Sequence, residues 1–201
     1  MSLKGNDTIF ELNDKFAIVT NDFLSSDIDN YFNKVVFFKH YSKDNKAFYF
    51  QLIRKSDSSV YATLTFYEKG ATSLLSPLYG TFGGVSAHES IKFELLEIFL
   101  STVITKILIS YNHFIIKLNP LAYNSRVCSK SINILSRIGF QVSCSDLNYS
   151  IEVSSENSYY DRLSSGNKKK LNQCIRDGFY VKKLKELDYP KAYDIILQNR
   201  I

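Results

Sequence analysis

Apolar residues along this chain fall into short strand-like runs and longer helix-like ones. Phe16–Thr20, Ala47–Lys55 and Val60–Tyr67 are rich in aromatic and β-branched side chains and alternate or run apolar, which predicts strands. The polar stretch Lys55-Ser-Asp-Ser-Ser59 predicts a hairpin between the second and third. A further meander strand is expected near Thr72–Leu75, a fully buried strand at His113–Leu118, and a closing hairpin from Gln141–Cys144 and Asn148–Val153. Ser26–Lys34 sets Ile28, Tyr31 and Phe32 at i, i+3 and i+4 behind Ser25 and Ser26, the pattern of a short capped helix. The apolar stretch from His88 to Tyr111 predicts a long buried helix. Ser86 followed by Glu89 is a capping-box pair that places its start, just after the Gly-rich Ser76–Val85. Arg126–Ile138 predicts a helix stopped by Gly139.

This order predicts an α/β fold, a mixed α+β sheet: an antiparallel meander, then a βαβ crossover to a parallel strand, with helices on both faces. It accounts for residues 1–155. Residues 156–201 hold a basic helix at Asn167–Arg176, a strand at Phe179–Leu184 and a helix at Tyr189–Arg200 with Asp188 as N-cap. One strand and two helices cannot close a sheet. They are therefore expected to open a second domain, and the end at Ile201, directly behind the amphipathic turn Tyr193–Leu197, suggests an N-terminal piece of a longer protein.

Composition narrows the class. Of 201 residues 45% are hydrophobic and 22% charged, with three Pro and eight Gly, which excludes disorder and low complexity as descriptions of the whole. The three cysteines show neither a disulfide framework nor zinc-ligand spacing, so no metal is expected and a reducing, cytoplasmic setting fits. No signal peptide or membrane span is predicted. The net charge of +5 is unevenly placed. From Arg162 to Lys185 eight basic residues face one acid, Asp177, giving +7, and the remainder carries −2. A local anion-facing surface follows rather than stable DNA binding.

Two passages resemble known families. Phe114-Ile-Ile-Lys-Leu-Asn-Pro120 followed by Leu135-Ser-Arg-Ile-Gly-Phe140 resembles the closing half of a GNAT N-acetyltransferase domain. Arg137 and Gly139-Phe140 match its signature, while Leu135 stands where the family commonly has a Tyr that protonates the departing thiolate. Asn167–Val181, with Lys168, Leu171, Cys174 and Gly178, resembles the inter-domain passage of bacterial FemAB-like proteins, tandem GNAT-fold transferases. The resemblance implies transfer of an acyl or aminoacyl group to an amine acceptor on a small molecule or peptide precursor, with acyl-CoA or aminoacyl-tRNA as donor. It also implies that the donor site belongs chiefly to the second domain and that this fragment is inactive alone. A non-catalytic, degenerate GNAT-like binding or structural domain is the alternative.

Candidate sites follow from chemistry. Gly80, Gly83 and Gly84, ahead of a helix N-terminus, are expected to offer backbone N–H groups to the phosphates of acyl-CoA, or else to serve a turn alone. On the Asn167–Arg176 helix, Lys169, Asn172, Gln173 and Arg176 form an outward stripe flanked by Lys168 and Lys170, suited to an anionic ligand, with Leu171, Cys174, Ile175 and Gly178 inward. His40, His88 and His113 share no ligand spacing. Glu68 is expected to be solvated at a turn, and Tyr123, just past Asn119-Pro120, is a candidate proton donor among fourteen tyrosines.

Overall fold

A computed structural model describes residues 9–21, 24, 28, 34–145 and 156–199. Contacts divide the chain into two units, Met1–Asn148 and Tyr149–Ile201.

The first unit is an α/β fold built on a mixed, mostly antiparallel seven-stranded sheet. Its strands are β1 (Ile9–Glu11), β2 (Phe16–Thr20), β3 (Ala47–Arg54), β4 (Val60–Glu68), β5 (Ser73–Ser76), β6 (Val85–Ala87) and β7 (His113–Ile116). The order is β1-β2-β3-β4-β5-β7, and β6 also pairs with β4. The hairpin expected around Lys55–Ser59 is present, with Phe50 opposite Leu64 and Gln51 opposite Thr63. Strand β5 pairs antiparallel with the end of β4 and parallel with β7, Leu74 lying opposite Phe114. The crossover expected between the meander and the His113 strand is thus a parallel neighbour relation across the helix α2 (Phe93–Thr102).

Alternation along the strands divides the core. Phe50, Leu52, Leu64 and Phe66 pack on one face with Leu96, Phe99 and Leu100 of α2 and Ile134 of α3 (Ser125–Arg137). Tyr49 and Tyr67 pack on the other with Phe38 of α1 (Val35–Tyr41). Helices therefore cover both faces.

Several expectations change. The helix expected at Ser26–Lys34 falls almost wholly outside the described residues, whereas α1 forms immediately beyond it. The long helix begins at Phe93, not Ser86, and passes into a π-helical turn at Val103–Ile107. Ser86 instead sits within β6 opposite Thr63, because the edge of β4 satisfies its backbone while Val85 and Ala87 are buried. Strand β7 ends the sheet and is not fully buried, Ile115 being 38% exposed. Of the closing hairpin, Gln141–Cys144 is not a strand and Asn148–Val153 lies outside the described residues.

The second unit contains α4 (Glu156–Arg162), α5 (Ser165–Arg176) and, after a 3-10 turn at Glu186–Asp188, α6 (Tyr189–Gln198). Residue Asp188 occupies the N-cap of α6 without a side-chain capping bond. Phe179–Leu184 is not a strand: no strand lies beside it among the described residues, and an unpaired ladder leaves backbone groups to water. Leu171 and Ile175 are exposed rather than inward.

Candidate functional site

The most informative concavity lies where β6 and the chain following β7 part. Ahead of it, β5 and β7 run side by side, and Lys117 extends the pairing by donating its N–H to Ser76 O at 2.8 Å. The chain between β5 and β6 leaves the sheet at Ser76 and rejoins it at Val85. Gly83 N–H donates to Lys117 O at 2.8 Å, and Gly84 N–H donates to Ser76 Oγ at 3.1 Å. A cavity of about 190 Å³ follows, lined by Ile28, Val85, Ser86, Ala87, Asn119, Tyr123, Asn124, Val127 and Cys128.

Four of the lining residues are held for local reasons. Asn124 caps α3, its Oδ1 accepting from Val127 N–H at 3.0 Å, which leaves its Nδ2 without a partner among the described residues. The cap aims the first turn of α3 so that Val127 and Cys128 are buried. The Cys128 thiol donates to Asn119 O at 3.3 Å, and burial raises its pKa. It is a neutral wall rather than a nucleophile. At the rim Tyr123 is 70% exposed, yet its ring is steadied by Phe82 at a centroid distance of 5.1 Å. At the far end of α3, Gly139 adopts φ +99° and lets Phe140 N–H return to Leu135 O at 2.9 Å.

Of the residues singled out from the sequence, Asn119 and Tyr123 come together here. Val85, Ala87, Asn124 and Cys128 were missed, since only tertiary pairing places a three-residue strand beside a helix cap. Leu135 is buried on α3 and does not line the cavity. The loop of Gly80, Gly83 and Gly84 feeds β6 rather than a helix, and the N–H groups of Gly83 and Gly84 are already engaged. Those two N–H groups are therefore not the donors expected for an acyl-CoA pyrophosphate.

In the second unit the helix α5 starts at Ser164, whose Oγ accepts from Asn167 N–H at 3.3 Å. Lys168 lies 5.2 Å from the centre of the Tyr160 ring and donates to Asp161 O at 3.2 Å. Asn172 Nδ2 donates to Tyr160 Oη at 3.4 Å. These two of the expected ligand residues are therefore held against α4, although Asn172 is exposed, as are Lys169, Gln173 and Arg176.

A second polar cluster was not foreseen. Glu68 is not merely solvated: it meets Lys46 at 3.1 Å and accepts from the Tyr111 hydroxyl at 2.8 Å, and Lys46 donates to the same hydroxyl at 2.8 Å. The Tyr111 hydrogen bond, then Lys46, hold the Glu68 carboxyl below its ordinary pKa. The cluster ties β3, β4 and the approach to β7, away from the cavity.

No group of His, Cys, Asp and Glu able to hold a metal occurs among the described residues, and no helix there is long and apolar enough to cross a membrane. No protein-family model, curated protein or solved structure matches this chain.

Proposed function

We propose that the chain is the acceptor-shaping part of a FemAB-like acyl- or aminoacyltransferase of the GNAT superfamily. The reading rests on one observation: β5 and β7 pair in parallel across α2, and beyond their last shared hydrogen bonds β6 and the Asn119–Asn124 segment separate around a cavity. A cleft opened between neighbouring chain segments at the end of a parallel pair suits a small ligand, since it offers apolar walls and a few convergent polar groups.

In this reading the cavity receives the amine acceptor. A new N–acyl bond forms, the acyl–sulfur bond of a thioester or acyl–oxygen bond of an aminoacyl ester breaks, and the proton lost by the amine passes to the leaving thiolate or alkoxide. Catalysis comes from holding amine and donor together. On α5, exposed Lys169, Gln173 and Arg176 are suited to cationic and amide contacts with an anionic ligand. The test is a mass-spectrometric panel of amines with acetyl-CoA and with aminoacyl-tRNA. Acylated amine at a rate above the uncatalysed control supports the reading; an amine panel that is neither acylated nor bound saturably overturns it for this chain.

A second reading, a ligand-holding module without turnover, is favoured by the buried Leu135 and by the engaged N–H groups of Gly83 and Gly84. Calorimetric titration with coenzyme A and with the amine panel separates the two: saturable binding without product supports the module.

A further inference from the structure

The cavity's size and rim specify its ligand more closely than "an amine". An apolar cavity of about 150 Å³ admits a benzene ring, so about 190 Å³ gives room for one six-membered ring and its substituents. Its walls are of two kinds. Val85, Ala87 and Val127 supply apolar surface, and at the mouth Tyr123 presents a ring that is 70% exposed and steadied by Phe82. Beside that ring stands Asn124, whose orientation is fixed: its Oδ1 is taken by Val127 N–H, so the amide presents Nδ2 as a donor. The Tyr123 hydroxyl is likewise without a partner among the described residues.

From this juxtaposition we propose that the cavity binds the pyranose ring of an amino sugar. This rests on the reading of the cavity as an acceptor cleft. A pyranose has one face of C–H groups and a rim of hydroxyls. The first lies against an aromatic ring whose plane is already set, at little entropic cost, and the second meets an amide donor and a phenol. A linear alkylamine satisfies neither the ring nor the donors, and a hydroxyl-free ring leaves Nδ2 dehydrated without a partner.

Saturation-transfer NMR on the full chain, with glucosamine, cyclohexylamine and lysine as probes, tests this without any acyl donor. Glucosamine is expected to bind at least about tenfold tighter than either comparison amine. Tyr123→Ala removes the ring face, and Asn124→Asp keeps the capping oxygen while removing the donor; each is expected to weaken glucosamine at least about tenfold, with the thermal melt of N124D unchanged. Equal binding of the three probes, or glucosamine binding untouched in both variants, overturns the proposal. Glucosamine binding without acyl transfer refutes turnover and leaves the sugar site standing. Acyl transfer to other amines with no glucosamine binding refutes the sugar site alone.

Discussion

The phenolic hydroxyl of Tyr111 donates to Glu68 at 2.8 Å, joining residues 43 positions apart. Lys46 closes the arrangement from the start of β3, lying 5.5 Å from the centre of the Tyr111 ring. Tyr111 is itself buried in the main core, so a polar clasp at the sheet's end is anchored by an apolar body.

Because the Glu68 carboxyl is held below its ordinary value of 4.5 in the folded state, its contribution is present above that value. It is lost as pH falls through the lowered folded-state value. Acid titration of stability by urea unfolding should therefore show a steeper loss below about pH 4.5 for the wild type than for Glu68→Gln. Tyr111→Phe should flatten the same limb, since the hydroxyl supplies the larger part of the shift. Parallel curves for all three proteins would remove the clasp from the account.

Gly83 is required by close approach. A Cβ there would stand 2.7 Å from Pro77 Cδ and 2.8 Å from its backbone nitrogen, and the proline ring has no flexible end to withdraw. Gly83→Ala is expected to cost about 1–3 kcal/mol, measured by chemical denaturation. A neutral outcome would mean that the Ser76–Val85 excursion is less firmly held than its hydrogen bonds to Lys117 and Ser76 indicate.

Neighbouring positions on α2 should differ sharply. Phe99 is fully buried against the sheet, and its replacement by Ala is expected to cost about 3–5 kcal/mol. Ile98, 44% exposed, should lose well under that, about 1 kcal/mol or less. Equal losses at both positions would place α2 in the wrong rotation.

The three thiols should separate by reactivity. Cys144 and Cys174 are exposed, whereas Cys128 is buried and its pKa is raised by that burial. An aromatic disulfide reagent at neutral pH should titrate two thiols in the native protein and the third only after denaturant. Three fast thiols would show the cavity wall to be open to solvent.

Charge reversal on α5 tests the anionic-ligand role. Lys169→Glu with Arg176→Glu should leave the melting temperature nearly unchanged, since both side chains are exposed, while lowering affinity for tRNA and its salt dependence. Unchanged tRNA affinity would refute that role.

Local periodicity carried much of this fold. The β3–β4 hairpin and α3 lie close to their expected bounds, because alternation and the 3.6-residue stripe act within one element, and Gly139 marks a stop that its backbone angle explains. The helix α5 was likewise visible in its spacing, but the inward face expected at Leu171 and Ile175 is exposed. Tertiary structure alone decided that Ser86 joins β4 instead of capping a helix, that β7 sits at the sheet's edge, and that Tyr111, Glu68 and Lys46 meet. It also decided that Tyr123, Asn124 and Cys128 surround one cavity with β6. Such choices depend on which distant backbone groups and side chains compete for the same partner, and short-range spacing holds no record of that competition.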